Sequence, residues 1–140
     1  MTRGDPFRRF SLTKKSQLTT KSDQWFDDAR FLHQSARYAA ALYLGGFVIE
    51  CLLKAALWER RQEPDVRRLL YSHELDDLLA ALPVLAREME RDPVGVQEEF
   101  VQICNWNVRI RYNPLRVDKR DCDDFVRRLT EVRTWLRDRV

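Results

Sequence analysis

Residues 37–60, RYAAALYLGGFVIECLLKAALWER, carry the longest apolar run of the chain, and only Glu50 and Lys54 interrupt it before Glu59. On a helix those two side chains stand one turn apart, with Glu before Lys, which is the favourable order. Phe47, Glu50, Lys54, Leu57 and Arg61 then share one stripe, and Leu44, Val48, Cys51 and Ala55 the next. A helix apolar over most of its circumference has to be covered by neighbours on several sides. A membrane span needs roughly 20 apolar residues, whereas the uncharged run from Tyr38 ends at Glu50, with Lys54, Glu59 and Arg60 beyond. The expectation is the central helix of a bundle, with no membrane partner. Gly45-Gly46 in mid-helix costs about 1 kcal/mol per Gly relative to Ala, so the close approach of another backbone is expected there.

The rest of the chain supplies the covering helices. A composition of 44% hydrophobic and 34% charged residues, with 4 Gly and 5 Pro in 140 residues, suits one helical domain with a substantial core. The net charge of +3 does not by itself point to nucleic acid. Cys51, Cys104 and Cys122 are far apart, no CxxC is present and there are only 2 His. Neither a metal site nor a disulfide framework nor a cofactor is expected, and the compartment is read as reducing and cytoplasmic. The arginines near the start are not followed by an apolar segment, so no secretory signal is expected. Residues 1–21 hold Arg3, Arg8, Arg9, Lys14, Lys15 and Lys21 against Asp5, with Phe7 and Phe10 as the large apolar groups. They read as a flexible basic arm ahead of a helical domain spanning 22–140. Such an arm can meet nucleic-acid phosphates or simply be solvated.

Taken in order, Ser22 or Asp23 is the expected N-cap of a first helix through Trp25, Phe26, Ala29, Phe31, Leu32 and Ala36, with His33 at its boundary. No Gly or Pro marks its junction with the central helix. Pro64 closes a charged run, Val66 to Tyr71 form a short turn, and Ser72-His73-Glu74-Leu75 opens a third helix. Its stripe is Leu75, Leu78, Leu79, Leu82, Leu85 and Met89, with a kink or break expected at Pro83. Asp92-Pro93 is the expected start of a fourth helix facing Val94, Phe100, Val101, Cys104 and Val108 inward. Pro114 ends it, because the residue before Pro leaves helical geometry. Asp121, Asp123 and Asp124 supply caps for a last helix. Phe125, Val126, Leu129, Val132 and Leu136 form its buried stripe, with its arginines on a solvated face. The fold class is therefore all-α, an antiparallel bundle of four to five helices.

With its residues laid out this way, the chain resembles the HEPN family (higher eukaryotes and prokaryotes nucleotide-binding domains). The stretch Ala40 to Ala55, AALYLGGFVIECLLKA, is similar to the family's A-x-Y-L-A-G-x-x-x-E-x-x-L-K-A. His73-Glu74-Leu75 followed by Leu78-Leu79, and Arg111-Tyr112 at the end of the fourth helix, carry the rest of the resemblance. The resemblance implies a HEPN-like bundle that pairs as a homodimer. Its members include metal-independent endoribonucleases of toxin–antitoxin and defence systems, partners of nucleotidyltransferases or antitoxins, and proteins without catalytic activity. Active members place an Arg and, after a spacing of four to six residues, a His. Such a His moves a proton at the ribose 2′-OH near neutral pH, and the Arg stabilises charge building on the phosphoryl group.

Arg111 fits the arginine position, but Tyr112-Asn113-Pro114-Leu115-Arg116-Val117-Asp118 follows it and contains no His. Tyr112, with a reference pKa near 10, is a poor base at neutral pH. His73 is the remaining histidine near a helix end. Arg111 and His73 are thus the catalytic candidates, and Asn107, Tyr112, Glu50 and Lys54 the ligand-binding ones. Each also has a plain reading: Arg111 as a helix C-cap, Glu50 with Lys54 as a structural ion pair, and Trp106 and Tyr112 as packing rather than base-stacking groups. The leading expectation is a dimeric module, non-catalytic or catalytically weakened, that binds RNA, nucleotide or a partner protein. The alternatives are an active metal-independent endoribonuclease using Arg111, and a purely structural subunit.

Overall fold

The structure is a computed structural model that describes residues 14–114 and 116–140. Its helices are α1 (Lys15–Gln34), α2 (Tyr38–Leu57), α3 (Pro64–Leu69), α4 (Leu75–Ala80), α5 (Pro83–Arg91), α6 (Val96–Tyr112) and α7 (Lys119–Arg137), with a 3-10 turn at Trp58–Arg60. No strand occurs among the described residues. Four long helices, α1, α2, α6 and α7, make the all-α bundle, and the three short ones carry the chain from the end of α2 to the start of α6.

α2 is the centre of the bundle and packs against α1, α7, α6 and α4. Leu42, Val48, Ile49, Leu52, Leu53 and Leu57 have no exposed surface, and burying each such side chain contributes about 1.5–3 kcal/mol relative to exposure. The segment Tyr38–Arg60 is long and apolar enough to cross a membrane, yet 72% of its most apolar window is buried inside the protein. What lies against Gly45 and Gly46 is side chain rather than backbone. A Cβ on Gly45 would collide with the Phe125 ring of α7, and one on Gly46 with the Asn107 carboxamide of α6. The two glycines let α7 and α6 seat bulky groups directly on α2.

α1 begins at Lys15, with Lys14 as N-cap, instead of at Ser22 or Asp23. Lys15 to Lys21 therefore belong to a helix, while the part of the basic arm in residues 1–13 lies outside the described residues. Ser22 and Asp23 have tertiary partners instead of a capping role. The buried Ser22 Oγ donates to the Val48 carbonyl of α2 at 2.8 Å. The Asp23 carboxylate accepts from Arg133 at 3.0 Å and Arg137 at 3.1 Å on α7. The α1–α2 junction turns on Ala36 at φ 60, with Arg37 N–H donating to the Leu32 carbonyl at 2.8 Å. Left-handed backbone lets the chain reverse there without Gly.

Pro64 and Pro83 each stand in the first turn of a helix, α3 and α5. Pro83 thus breaks the expected third helix into α4 and α5. Asp92-Pro93 does not start α6. The helix opens at Val96 from Gly95 at φ 83, while Asp92 accepts the Val94 N–H at 2.9 Å and the Trp135 indole N–H at 2.8 Å. Val96, Phe100, Ile103, Cys104 and Asn107 face inward; Val94, Val101 and Val108 are exposed. The inward face is turned toward Asn107 because Gly46 leaves room for it.

At α7, Asp118 rather than the later aspartates is the cap. It accepts the Asp121 N–H at 2.8 Å and its own N–H donates to the Asp121 carboxylate at 3.3 Å. The α7 arginines are not simply a solvated face. Arg128 reaches Glu99 of α6 at 3.1 Å, and Arg133 lies 4.3 Å over the Phe26 ring of α1.

Candidate functional site

The fourth turn of α2 presents Glu50 and, one turn on, Lys54; both are buried. Lys54 Nζ donates to Glu50 Oε2 at 3.2 Å. The other carboxylate oxygen, Oε1, lies 3.0 Å from His73 Nδ1 in the segment that opens α4. A carboxylate accepts and does not donate, so this bond places the imidazole proton on Nδ1 and leaves the Nε2 lone pair free to take up a proton. The His73 side chain is 52% exposed, and its ring stands edge-on to Phe47 with centroids 6.4 Å apart. Phe47 in turn contacts Tyr43 at 5.2 Å and Trp25 at 5.7 Å. An aromatic wall therefore supports the imidazole on one side and the buried ion pair on the other.

Arg111, in the last turn of α6, comes to the same place. Its Nη1 donates to the His73 carbonyl at 3.5 Å and lies 4.0 Å from Glu74 Oε1. Both contacts are at the outer limit of effective range, so the guanidinium is loosely held. Its side chain is 14% exposed. Asn107, one turn earlier, is buried against Gly46. Tyr112 is 71% exposed, and no hydrogen bond or ring contact links it to His73 or Glu50 among the described residues.

Of the residues picked from sequence, Glu50, Lys54, His73 and Arg111 thus form one connected seam across α2, the α4 entry and α6. Asn107 serves the α2–α6 packing beneath it. Glu74 and Phe47 are the members that sequence reasoning did not single out as site residues. Glu74 was legible only as the neighbour of His73, and Phe47 only as the residue one turn before Glu50. Cys51, beside the seam, has its thiol pushed up to about 11 by burial and then by the Glu50 charge, so it stays protonated and unreactive at neutral pH.

The seam is built from the three stretches that carried the resemblance, and the family model described as HEPN domain matches residues 16–139. The chain belongs to the HEPN family. No curated protein and no solved structure gives a match. In this HEPN domain Arg111 stands in the last turn of α6 with no His in the seven residues after it, and it meets instead the main chain of His73, from a different segment of the chain.

Proposed function

We propose that this HEPN domain is an RNA- or nucleotide-binding module whose seam takes a phosphate between Arg111 and His73. The observation that carries the reading is the meeting of the Arg111 guanidinium with the main chain of His73, whose half-exposed imidazole is held by Glu50. A phosphate can accept from Arg111 as a fork and from protonated His73, with Glu50 holding the ring in place. Lys54 offsets the Glu50 charge, so the seam does not repel an anion.

Anisotropy titration of labelled single-stranded RNA tests this. Arg111→Ala should weaken binding by about ten- to a hundredfold, the range of a charge-assisted hydrogen bond. Binding unchanged in Arg111→Ala and His73→Ala would refute the phosphate site.

The Glu50–His73 bond favours a second reading, a metal-independent endoribonuclease. There His73 Nε2 would accept the ribose 2′-OH proton, as the imidazole of a carboxylate-oriented base does, and Arg111 would stabilise the phosphoryl charge. RNA cleavage in EDTA that disappears in His73→Ala and Arg111→Ala would establish it. Intact RNA with the folded wild type across several sequences would leave the binding module. Self-association fits both readings, because Val101, Val108 and Tyr112 make an exposed strip on the helix that carries Arg111.

A further inference from the structure

Apart from the seam, between α6 and the start of α7, lies a hollow of about 480 Å³ lined by Trp106, Arg120, Asp121, Asp123, Asp124 and Arg127. Trp106 also lines a neighbouring hollow of about 360 Å³. Its indole is half-buried and packed on the core, so the ring is held rigidly. The Arg109 guanidinium rests 4.8 Å from the ring centre, a cation–π pair that a further planar group can extend. Residues 109–120 carry Arg109, Arg111, Arg116, Lys119 and Arg120 against Asp118 alone. Among the described residues, the cations of this run that meet a carboxylate are Arg111, 4.0 Å from Glu74, and Lys119, 2.8 Å from Asp123. Arg109, Arg116 and Arg120 keep their charge uncompensated by any such partner.

The three aspartates on the hollow are already engaged. Asp121 is tied into the α7 cap. Asp123 sits between Lys119 at 2.8 Å and His33 at 2.6 Å, and Asp124 between Arg127 at 3.1 Å and Arg128 at 2.9 Å. Their oxygens retain lone pairs that accept further N–H groups, so the hollow suits a group that is planar and carries amino hydrogens. An acidic peptide has no use for such a floor, because its carboxylates would face aspartates. A nucleobase fits both the ring and the floor, and the phosphates flanking it fit the unpaired arginines.

We propose that this corner is a nucleobase-binding subsite for single-stranded RNA, with Trp106 as the stacking face and Arg109, Arg116 and Arg120 as phosphate contacts. It rests on the reading that the Arg111–His73 seam takes RNA, and it extends the bound strand from that seam to Arg109, Arg116 and Arg120.

The test uses the full chain, labelled single-stranded RNA and a matched RNA with abasic residues, read by anisotropy at two salt concentrations. Trp106→Leu should weaken binding of the intact RNA about tenfold, within the range for loss of one base stack. Trp106→Phe, which keeps a π-face, should recover most of that loss. Neither variant should alter binding of the abasic RNA. Arg120→Ser should weaken both RNAs and lower the salt dependence, as loss of a phosphate contact does. Each variant is first checked for an unchanged thermal unfolding midpoint, and Trp106→Phe remains informative if Trp106→Leu fails to fold. Equal binding by wild type and Trp106→Leu, with Arg111→Ala still impaired, would overturn the subsite and leave the seam standing. A loss in Trp106→Leu with Arg111→Ala unaffected would keep the subsite and overturn the seam. Wild type that binds no RNA, or binds an acidic peptide at the corner in its place, would overturn the subsite.

Discussion

Ala36 holds a left-handed conformation that carries a steric cost for any residue with a Cβ. Ala36→Gly is expected to raise stability by about 1 kcal/mol, net of the extra freedom Gly brings to the unfolded chain. A urea unfolding midpoint at or below that of wild type would contradict this. Gly46 shows the opposite constraint. Alanine there regains about 1 kcal/mol of helix propensity but drives its methyl into Asn107, an overpacking that costs about 1–3 kcal/mol. Gly46→Ala should therefore lower stability, and adding Asn107→Ala should restore part of the loss. A double-mutant cycle with zero coupling would show that the two groups do not press on each other.

At the scale of the element, α6 does two jobs with adjoining faces. Val96, Phe100, Ile103 and Cys104 fix it to the core, whereas Val101, Val108 and Tyr112 remain uncovered at spacings of seven and four. Helical residues at those spacings line one stripe, as at a helix–helix seam. We propose that a second copy covers it, which would bring two Arg111-bearing helices side by side. Val108→Asp puts a charge in that stripe without touching the core, and it should shift light-scattering mass from dimer to monomer at micromolar concentration. A wild type that is already monomeric there would end the idea. The break at Pro83 also belongs to this scale. By ending α4 after two turns, it lets the chain bend so that Leu75, Leu78 and Met89 are all buried although they lie on separate helices.

Across the whole molecule, ion pairs near the start of α7 brace the helix itself and tie it to α1 through His33 and to α6 through Glu99. Hydrogen bonding to Lys119, then to His33, holds Asp123 below the ordinary carboxylate value, and Arg128 does the same for Asp124. A carboxylate with a depressed folded-state pKa contributes its stability in full above the unfolded value, and loses it as pH falls through the folded one. Stability should therefore drop as pH falls through and below the ordinary carboxylate value of about 4. Asp124→Asn should flatten the drop, and added salt should weaken it because both groups are exposed. A urea midpoint flat over that fall, or a drop unchanged in Asp124→Asn, would contradict the assignment.

The sequence by itself determined what depends on local pattern. The apolar circumference of residues 37–60 required a central helix, Pro83 and Pro114 required helix ends, and the Ala40 to Ala55 pattern with His73-Glu74-Leu75 and Arg111 pointed to the family. Only the tertiary structure decided what depends on partners distant in the chain. Ser22 became a buried strut because the Val48 carbonyl faces it, and Asp23 an ion-pair centre because Arg133 and Arg137 do. Asn107 took the core side ahead of Val108 because Gly46 leaves a space opposite it. His73 came to stand between Glu50 and Arg111 because α2, the α4 entry and α6 meet there. Propensity and periodicity act over a turn or two, so they set where helices run. Which polar side chains meet is set by the packing of surfaces that no local window contains.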